Sequence, residues 1–567
     1  MALGYMNDKK YVCNIAIPAI CFMVFIFAPV ELFLMIKQDT WISLSDFGVY
    51  LLAFFVSALV IGLFFDFLLQ KFCTTIWNRI VFVFIAVFMA LYIQGNFLNA
   101  DYGVLNGKPI DWSQYPHEGV KSVVLFVIIL AVTVFIIAKF PVEKIKHVEN
   151  IIAVCFILLM AETLVVAIIQ YDGFEKRSDV VCTTEGEWDY SKDENFVIMV
   201  LDSFDSRMLS DLMESNHGME VRDKLQDFVF LKDTTSLYGM TDYSLLQIIT
   251  GKEYLCEDAF DSVSTEFYRD SNLLKRLSEQ DYKISMYAAN AIPDDPSIAS
   301  NWYRASYGVD SHSKLLIYLY KLVGFRYLPQ QLKQLCWFYP DEMDCIKLVY
   351  FTDEEGNVKQ VERYDWANYI FYSDLVNIDA LEEKKTFHLY HLKGTHPLRD
   401  YNKEFEHCPE GVDFDESALG CINLIERYAD TLKDKGIYDN TTILVLADHG
   451  ENLYSNDENR FINSPLVLYK GKNQRGELSV DEKACSFSCL NNLYEEILNN
   501  ECSNKDASKA LASNDRYTYD IVWAGHSTVA HSSVGGFEKI KVNGPVYDFE
   551  SYTSTGERYL LDESRNN

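Results

Sequence analysis

Five apolar stretches before residue 173 constrain the fold of this chain more than any other feature. They cover roughly residues 11–36, 47–69, 80–98, 123–140 and 151–169. Each has about the 20 residues that a helix needs to cross the hydrocarbon of a membrane. We therefore predict that residues 1–172 form a membrane α-helical bundle of five transmembrane helices.

Basic residues beside these stretches predict how the bundle is oriented. Six Lys and Arg residues flank the ends that face the cytoplasm when the N-terminus lies inside, against three at the opposite ends. Five crossings then place the chain after about residue 172 outside the cytoplasm. We expect a multi-pass protein of the cell membrane whose second half is extracytoplasmic. Asp66 and Glu162 fall within predicted spans, where they have either a functional role or an interhelical hydrogen-bonding role.

The second half has the pattern of an α/β domain. Residues 173–194 are polar and charged and are predicted to be a linker, followed by one domain over residues 195–567. Apolar runs typical of buried strands alternate there with helix-like segments, which predicts a mainly parallel central sheet. The runs are residues 196–201, 386–392, 442–446 and 466–469, and the helix-like segments are residues 272–279 and 418–435.

Two further regions depart from this alternation. Short alternating runs at residues 539–542 and 544–549 predict a small antiparallel element near the C-terminus. Residues 314–339 are aromatic and amphipathic. We expect them to pack on the core of the domain, and a position against the membrane surface is the alternative.

The charge excludes one class of partner. Residues 1–172 carry only −2 of the total of −31, so the remainder carries −29. A surface this acidic repels nucleic acid, and we expect no nucleic-acid partner. An anionic substrate would therefore need a local positive centre such as a metal ion.

Nine of the 13 cysteines lie in the second half. An exported domain permits disulfides, and the near neighbours Cys336/Cys345, Cys408/Cys421 and Cys485/Cys489 are candidate pairs. The alternative is inert thiols, and an odd number leaves at least one cysteine unpaired.

Acidic residues and a histidine follow two of the predicted strands. Asp202 comes directly after residues 196–201, and Asp448 and His449 come just after residues 442–446. Ligands of open parallel sheets bind beyond the carboxyl ends of the strands, so we expect these side chains to meet. Carboxylates with one imidazole suit a divalent metal, with Mn²⁺ or Zn²⁺ as first choices and Mg²⁺ or Ca²⁺ as alternatives.

Thr241 stands where a sulfatase carries its catalytic cysteine. The stretch from Thr241 to Gly251 resembles the sulfatase signature Cys-x-Pro-Ser-Arg followed by Thr-Gly, with a hydroxyl in place of the thiol and Leu245 in place of the arginine. These changes argue against a formylglycine sulfatase and favour phosphate over sulfate. A metal ion can lower the pKa of a hydroxyl, so we predict Thr241 as the nucleophile and a fourth metal ligand. Thr250 and Gly251 are predicted to form a helix terminus, either its beginning or its end.

These residues together resemble the alkaline phosphatase and sulfatase superfamily. The layout is most similar to the lipoteichoic acid synthase family and the related phosphoethanolamine transferases, which join five transmembrane helices to an extracellular sulfatase-like domain. The resemblance implies that Asp202, Thr241, Asp448 and His449 bind the metal and that His396, in Gly-Thr-His-Pro, contacts the substrate. Asp202 departs from both families, which typically have Glu at that position. His526 and His531 are further candidates for a second metal.

The resemblance implies a metal-dependent phosphotransferase. Such an enzyme moves phosphoglycerol or phosphoethanolamine from a membrane phospholipid to a cell-surface glycan or polymer through a phospho-threonine intermediate. One alternative is a cell-surface phosphodiesterase that uses water as the acceptor. Another is a catalytically silent membrane protein that binds surface glycans.

Overall fold

The computed structural model describes most of the 567 residues. They are residues 13–37, 42–100, 102, 110–176, 178–256, 258, 260–336, 345, 346, 348–352, 356–382, 384–451, 453, 454, 461–499, 502–523 and 534–561. The chain divides into two compact units. We call Met1–Ser178 with Ser306–Leu348 the helical unit, and Asp179–Ala305 with Val349–Asn567 the α/β unit.

The helices and strands are numbered in chain order. The helices are α1 (Ala16–Met35), α2 (Leu44–Phe97), α3 (Pro116–Lys139), α4 (Val142–Tyr171), α5 (Ser206–Glu214), α6 (Gly218–Lys224), α7 (Thr241–Thr250), α8 (Phe260–Arg269), α9 (Asn272–Glu279), α10 (His312–Tyr327), α11 (Gln330–Lys333), α12 (Asn368–Asp374), α13 (Phe414–Asp434), α14 (Leu490–Asn499) and α15 (Asn504–Leu511). The strands are β1 (Asp179–Cys182), β2 (Asp189–Ser191), β3 (Asn195–Leu201), β4 (Val229–Leu231), β5 (Thr234–Thr235), β6 (Tyr282–Tyr287), β7 (Trp302–Gly308), β8 (Leu348–Thr352), β9 (Val358–Glu362), β10 (Asp379–Glu382), β11 (Lys385–Leu392), β12 (Thr441–Leu446), β13 (Leu453–Tyr454), β14 (Phe461–Ile462), β15 (Val467–Lys470), β16 (Ser479–Asp481), β17 (Cys485–Ser486), β18 (Arg516–Trp523), β19 (Val534–Val542) and β20 (Tyr552–Leu560).

Four helices of the described chain, α1 to α4, are long and apolar enough to cross a membrane. The 54-residue α2 would be about 80 Å long if straight, well over twice the thickness of a bilayer's hydrocarbon. The backbone of Cys73 is non-helical, with φ −148° and ψ 48°, and it divides α2 into two arms. Each arm carries one predicted apolar stretch, so the five predicted stretches lie on four continuous helices. These helices indicate a membrane protein.

Asp66 is buried inside the helical unit as a hydrogen-bonding residue. Its carboxylate accepts from Asn14 Nδ2 at 2.6 Å, Trp77 Nε1 at 2.7 Å and Gln70 Nε2 at 2.9 Å. Buried carboxylates need such partners, and this one links the residue two positions before α1 to both arms of α2. Glu162, the other acidic residue that we singled out, is exposed on α4.

The α/β unit is built on a seven-stranded sheet with the order β16-β4-β15-β12-β3-β11-β6. Its four strands β12, β3, β11 and β6 are parallel, as predicted, whereas β15 runs antiparallel to β12 and β4. The sheet is therefore mixed. Every residue of β3 and β12 is buried, which explains their continuous apolar sequence. A second, antiparallel sheet, β18-β19-β20, confirms the predicted C-terminal element, although residues 544–549 lie outside its strands.

Three other expectations differ from the structure. Residues assigned to a linker form β1 and β2 of the α/β unit. The amphipathic segment forms α10 and α11, which belong to the helical unit and not to the α/β unit. The three candidate disulfides are not present among the described residues. Cys421 and Cys485 are packed in the hydrophobic core of the α/β unit, where a thiol behaves as a small apolar side chain.

Candidate functional site

The site lies at the carboxyl ends of the adjacent parallel strands β3 and β12. Asp202 directly follows β3, and Asp448 follows β12 after one residue. Between them Ser203 has a left-handed backbone with φ +60°. This turn directs its N–H to Asp448 Oδ1 at 3.0 Å and its hydroxyl to Asp202 Oδ1 at 2.8 Å. Strain of this kind in a residue other than glycine is typical of functional sites.

Thr241 reaches the same point from another element. It is the first residue of α7, and its hydroxyl donates to Asp202 Oδ2 at 3.2 Å. Every residue of this helix from Tyr243 to Thr250 is buried, and Gly251 has a φ of +65°, so the predicted helix terminus is its end. The amide groups of a helix N-terminus favour an anion, so Thr241 stands where a phosphoryl group would be stabilised.

Asp448 and His449 complete the predicted set. Oδ1 of Asp448 accepts from the N–H groups of Ser203 and His449, at 3.0 and 2.9 Å. The His449 Nδ1 lies 2.7 Å from the carbonyl oxygen of Gly450, which fixes Nδ1 as the protonated nitrogen. Its Nε2 lies 3.4 Å from Asp448 Oδ2 and 4.0 Å from Asp202 Oδ1. The structure thus brings Asp202, Thr241, Asp448 and His449 together.

His391 is a member of this cluster that the sequence did not reveal. It lies within β11, fully buried, with Nε2 3.4 Å from Asp202 Oδ2. One ligand atom each from Asp202, His391 and Asp448 can be chosen so that all three lie within 4.8 Å of one another. The available signal was the second histidine of FHLYHL, at the penultimate position of a strand that pairs with β3.

The cluster strongly perturbs its own charges. Burial alone would raise the pKa of Asp202, but the imidazoles of His391, His449 and His396 together hold it well below its usual range. Burial and the charge of Asp202 raise the pKa of Asp448. Burial lowers the pKa of His449, yet the carboxylates of Asp448 and Asp202 more than reverse this and raise it. Such opposed shifts in one small volume are typical of a functional centre.

The donor atoms fit a divalent metal ion. Among the described residues, His391 Nδ1 is buried without a hydrogen-bond partner, and His391 Nε2 and Asp448 Oδ2 have only the long 3.4 Å contacts to Asp202 and His449. Buried polar atoms of this kind are costly unless something binds them. Two carboxylates, two imidazoles and a hydroxyl are also ligands that Mn²⁺ and Zn²⁺ accept. The residues that would hold the ion are therefore Asp202, His391, Asp448 and His449, with Thr241 beside them.

Gly394 brings the loop after β11 against this centre. Its φ is +56°, and a Cβ there would lie 2.4 Å from both the N and the O of Asp202. The close approach allows the N–H of Thr395 to donate to the Asp202 carbonyl oxygen at 2.9 Å. The next residue is His396, which is half-buried and is thereby placed at the edge of the cluster.

His396 faces a surface cleft. Trp366 packs against it and against His391, with ring centroids 5.5 and 5.4 Å apart. Further lining residues include Lys393 and Arg399, along with Tyr369 and Tyr401, whose rings stack at 4.5 Å. Lys393 lies 3.8 Å from Asp400 Oδ1 and Arg399 lies 3.3 Å from Glu451 Oε2, so both cations of the cleft are paired with carboxylates. The other predicted histidines, His526 and His531, lie outside the described residues.

The loop that carries His449 is held by packing and by side chains. A Cβ on Gly450 would lie 2.6 Å from Asp205 Oδ2 and 2.8 Å from the N of Ser464, so only glycine fits there without a shift. Asn463 accepts from the Gly450 N–H at 3.0 Å and donates to the Tyr238 carbonyl oxygen at 2.9 Å. The side-chain amide of Asn463 thus joins the loop that carries His449 to the loop that precedes Thr241.

Comparison with known proteins identifies the family to which this chain belongs. A family model described as Sulfatase matches residues 194–488, which is more than half of the chain. No curated protein matches the sequence. Similar solved structures include the lipoteichoic acid synthase LtaP from Listeria monocytogenes, with 12% identity and a TM-score of 0.33 over 68% of this chain and 91% of that one. A phosphonate monoester hydrolase from Silicibacter pomeroyi has 13% identity and a TM-score of 0.33 over 61% and 85%. The PsFucS1 sulfatase from Pseudoalteromonas sp. has 12% identity and a TM-score of 0.35 over 64% and 81%. On the family model and the site geometry, this chain belongs to the sulfatase family.

Proposed function

We propose that this protein is a metal-dependent phosphotransferase of the cell membrane. In this proposal it moves a phosphoalcohol group, phosphoglycerol or phosphoethanolamine, from a membrane phospholipid to an extracytoplasmic glycan or polymer. The observation that carries the proposal is the hydroxyl of Thr241, 3.2 Å from Asp202 within the acidic and imidazole cluster. The apolar helices on the same chain support a donor that resides in the membrane.

The first half-reaction would use Thr241 as the nucleophile. Its hydrogen bond to Asp202 Oδ2 directs the hydroxyl proton to that carboxylate, which takes the proton as Oγ1 attacks the phosphorus of the donor. The bond from phosphorus to the diacylglycerol oxygen breaks, and that oxygen takes a proton from His396. The phosphoalcohol is then esterified to Thr241. A bound divalent metal would lower the pKa of the hydroxyl and neutralise phosphoryl oxygens.

The second half-reaction would reverse these steps with a different alcohol. The acceptor hydroxyl gives its proton to His396 and attacks the phosphorus, and the bond from phosphorus to Thr241 Oγ1 breaks. Thr241 then regains its proton from Asp202 Oδ2. The N-terminal amides of α7 would stabilise the charge that develops on the phosphoryl oxygens in both halves. With water in place of the alcohol, the same residues would carry out hydrolysis.

Replacing Thr241 tests the proposal. Full-length protein in nanodiscs would be incubated with radiolabelled phosphatidylglycerol or phosphatidylethanolamine in Mn²⁺ or Zn²⁺. Thr241→Val keeps the side-chain shape but removes the nucleophile, so we expect turnover to fall by at least about 10³-fold, whereas Thr241→Ser should retain activity. Thr431→Val makes the same chemical change on α13, where the hydroxyl only bonds the carbonyl oxygen of Arg427, and it should change little.

Product and adduct analysis separates the possible outcomes. Peptide mass spectrometry after brief incubation should find the phosphoalcohol on Thr241. A phosphoalcohol-modified acceptor supports transfer, whereas free phosphoalcohol alone supports a hydrolase. Undiminished turnover by Thr241→Val would refute the mechanism. A protein that binds no metal and consumes neither lipid would favour a silent glycan-binding role.

A further inference from the structure

The α/β unit has a second connection to the helical unit besides the chain after α4. We call His312–Cys336, which contains α10, α11 and a final short turn, the anchor segment. The chain leaves the α/β unit after Ala305, forms the anchor segment within the helical unit, and returns at Val349. The chain therefore passes between the two units three times.

A buried carboxylate joins the anchor segment to the membrane helices. Glu31 on α1 is only 7% exposed. Its Oε1 lies 2.9 Å from Arg326 Nη2, and its Oε2 accepts from the hydroxyl of Tyr327 at 2.5 Å. Arg326 Nη2 also donates to Asn96 Oδ1 of α2 at 2.9 Å. A buried charge without partners is strongly unfavourable. The carboxylate of Glu31 on α1 and the guanidinium of Arg326 on α10 therefore each need the other helix for a partner.

Packing on α2 reinforces this ion pair. A Cβ on Gly95 would lie 2.3 Å from Cδ1 of Tyr327, so the absence of a side chain on α2 lets the tyrosine ring lie against the helix backbone. Small residues permit the same close approach at other helix contacts in membranes. Lys333, buried behind this contact, donates from Nζ to the carbonyl oxygens of Phe325 and Arg326 and so closes the end of α10.

The start of α3 is a third point of contact. The N–H of Gln330 donates to Ser122 Oγ at 3.2 Å, and Gln331 Nε2 donates to the carbonyl oxygen of Gly119 at 2.9 Å. Tyr102 donates to Gln330 Oε1 at 2.5 Å. The anchor segment thus makes polar contacts with α1, α2 and α3, together with the connection between α2 and α3, and these contacts are far apart in sequence.

We propose that the anchor segment is a non-covalent membrane attachment of the α/β unit, able to hold it on the helical unit after the chain between α4 and β1 is cut. A single tether would release the α/β unit on one proteolytic cleavage. A segment that also contacts three of the apolar helices would not. This inference does not depend on the proposed chemistry, because it concerns retention and not turnover.

Cleavage of full-length protein at an engineered site tests the attachment. A recognition sequence for a specific protease would be inserted between Lys176 and Ser178, and the protein would be cut in native membranes and again in a mild detergent. We expect the fragment that begins near residue 178 to stay in the membrane pellet after a high-salt wash. In detergent it should elute with the N-terminal fragment as one species. Release of the fragment from cut, otherwise unsubstituted protein would overturn the proposal.

Charge reversal tests the contact itself. Arg326→Glu places a second carboxylate beside Glu31, and we expect the cut fragments to separate in detergent. Combining it with Glu31→Arg restores an opposite pair and should restore co-elution, which distinguishes loss of the contact from general misfolding. Arg269→Glu makes the same reversal in an exposed ion pair with Asp295 of the α/β unit and should leave the fragments together. Co-elution of cut Arg326→Glu protein, or failure of the double variant to restore it, would overturn the assignment.

Discussion

Neutralising Asp448 should make the metal-free protein more stable than the unsubstituted protein, and the metal-bound protein less stable than it. Asp448→Asn keeps the size of the side chain and an oxygen that can accept from Ser203 and His449. Without metal, two carboxylates with oxygens no more than 4.8 Å apart repel each other by about 3.5 kcal/mol at an effective dielectric constant of ~20. His449 offsets part of this repulsion, so we expect Asp448→Asn to raise the free energy of unfolding of metal-free protein by about 1–3 kcal/mol.

Bound metal should reverse this order of stability, so that the unsubstituted protein becomes more stable than Asp448→Asn. A ligand that binds only the folded state at 100 times its Kd stabilises by about 2.7 kcal/mol. The unsubstituted protein should gain this amount on saturation with Mn²⁺, whereas Asp448→Asn lacks a carboxylate ligand and should gain little. The apparent thermal midpoint of full-length protein in detergent, followed by intrinsic fluorescence in EDTA and during a Mn²⁺ titration, measures both effects.

Asp281→Asn is the matched control for this charge removal. Asp281 is 77% exposed and ion-paired only at the surface with Lys384, and its φ of +61° is one that Asn tolerates. The control should shift neither midpoint by more than the equivalent of about 0.5 kcal/mol. The reasoning is wrong if Asp448→Asn is less stable than unsubstituted protein in EDTA, or if Mn²⁺ stabilises both equally.

Three shorter predictions address the surroundings of the site. Gly394→Ala should lower the free energy of unfolding by at least about 1 kcal/mol in chemical denaturation, because its Cβ would meet the backbone of Asp202 at 2.4 Å with a positive φ; unchanged stability would contradict this. Trp366→Leu should reduce turnover by about 10-fold or more while Trp366→Phe keeps most of it, since the ring orients His396; equal losses in steady-state kinetics would indicate a different role. Burial raises the pKa of Glu194, but its lysine and tyrosine hydrogen bonds outweigh this and lower it to about 2, so its stabilisation should be complete above its unfolded pKa of about 4.3 and lost as pH falls towards 2. The difference in thermal midpoint between unsubstituted protein and Glu194→Gln should therefore become smaller as the pH falls from about 4.3 towards 2. A difference that stays constant over this pH range would count against the assignment.

The sequence predicted the parts of the site that follow strand ends. Asp202 and Asp448 were expected to meet because both follow apolar runs, and β3 and β12 are indeed parallel neighbours. His391 was missed because it lies inside a strand, and the sequence pattern does not distinguish it from the other buried residues of that strand. Only the pairing of β11 with β3, in which His391 stands opposite Val200, brings it beside Asp202. Strand order is a long-range property, and local pattern does not contain it.

The amphipathic segment shows a second limit of the same kind. An apolar face at helical spacing predicts that α10 packs on something, but not on which apolar surface. Its position within the predicted α/β domain, residues 195–567, favoured the core of that domain. In the structure Arg326 of α10 instead pairs with Glu31 of α1, and these two residues are 295 positions apart in the sequence.

Thr241 begins a helix that is buried from Tyr243 to its end, so the core of the protein holds the proposed nucleophile. Its orientation is settled when the chain folds, before any substrate arrives. Groups held in this way can act as though present at effective concentrations of roughly 10⁵–10⁸ M. Under the proposed function, this buried helix presents a hydroxyl at the position where the sulfatase signature has a cysteine.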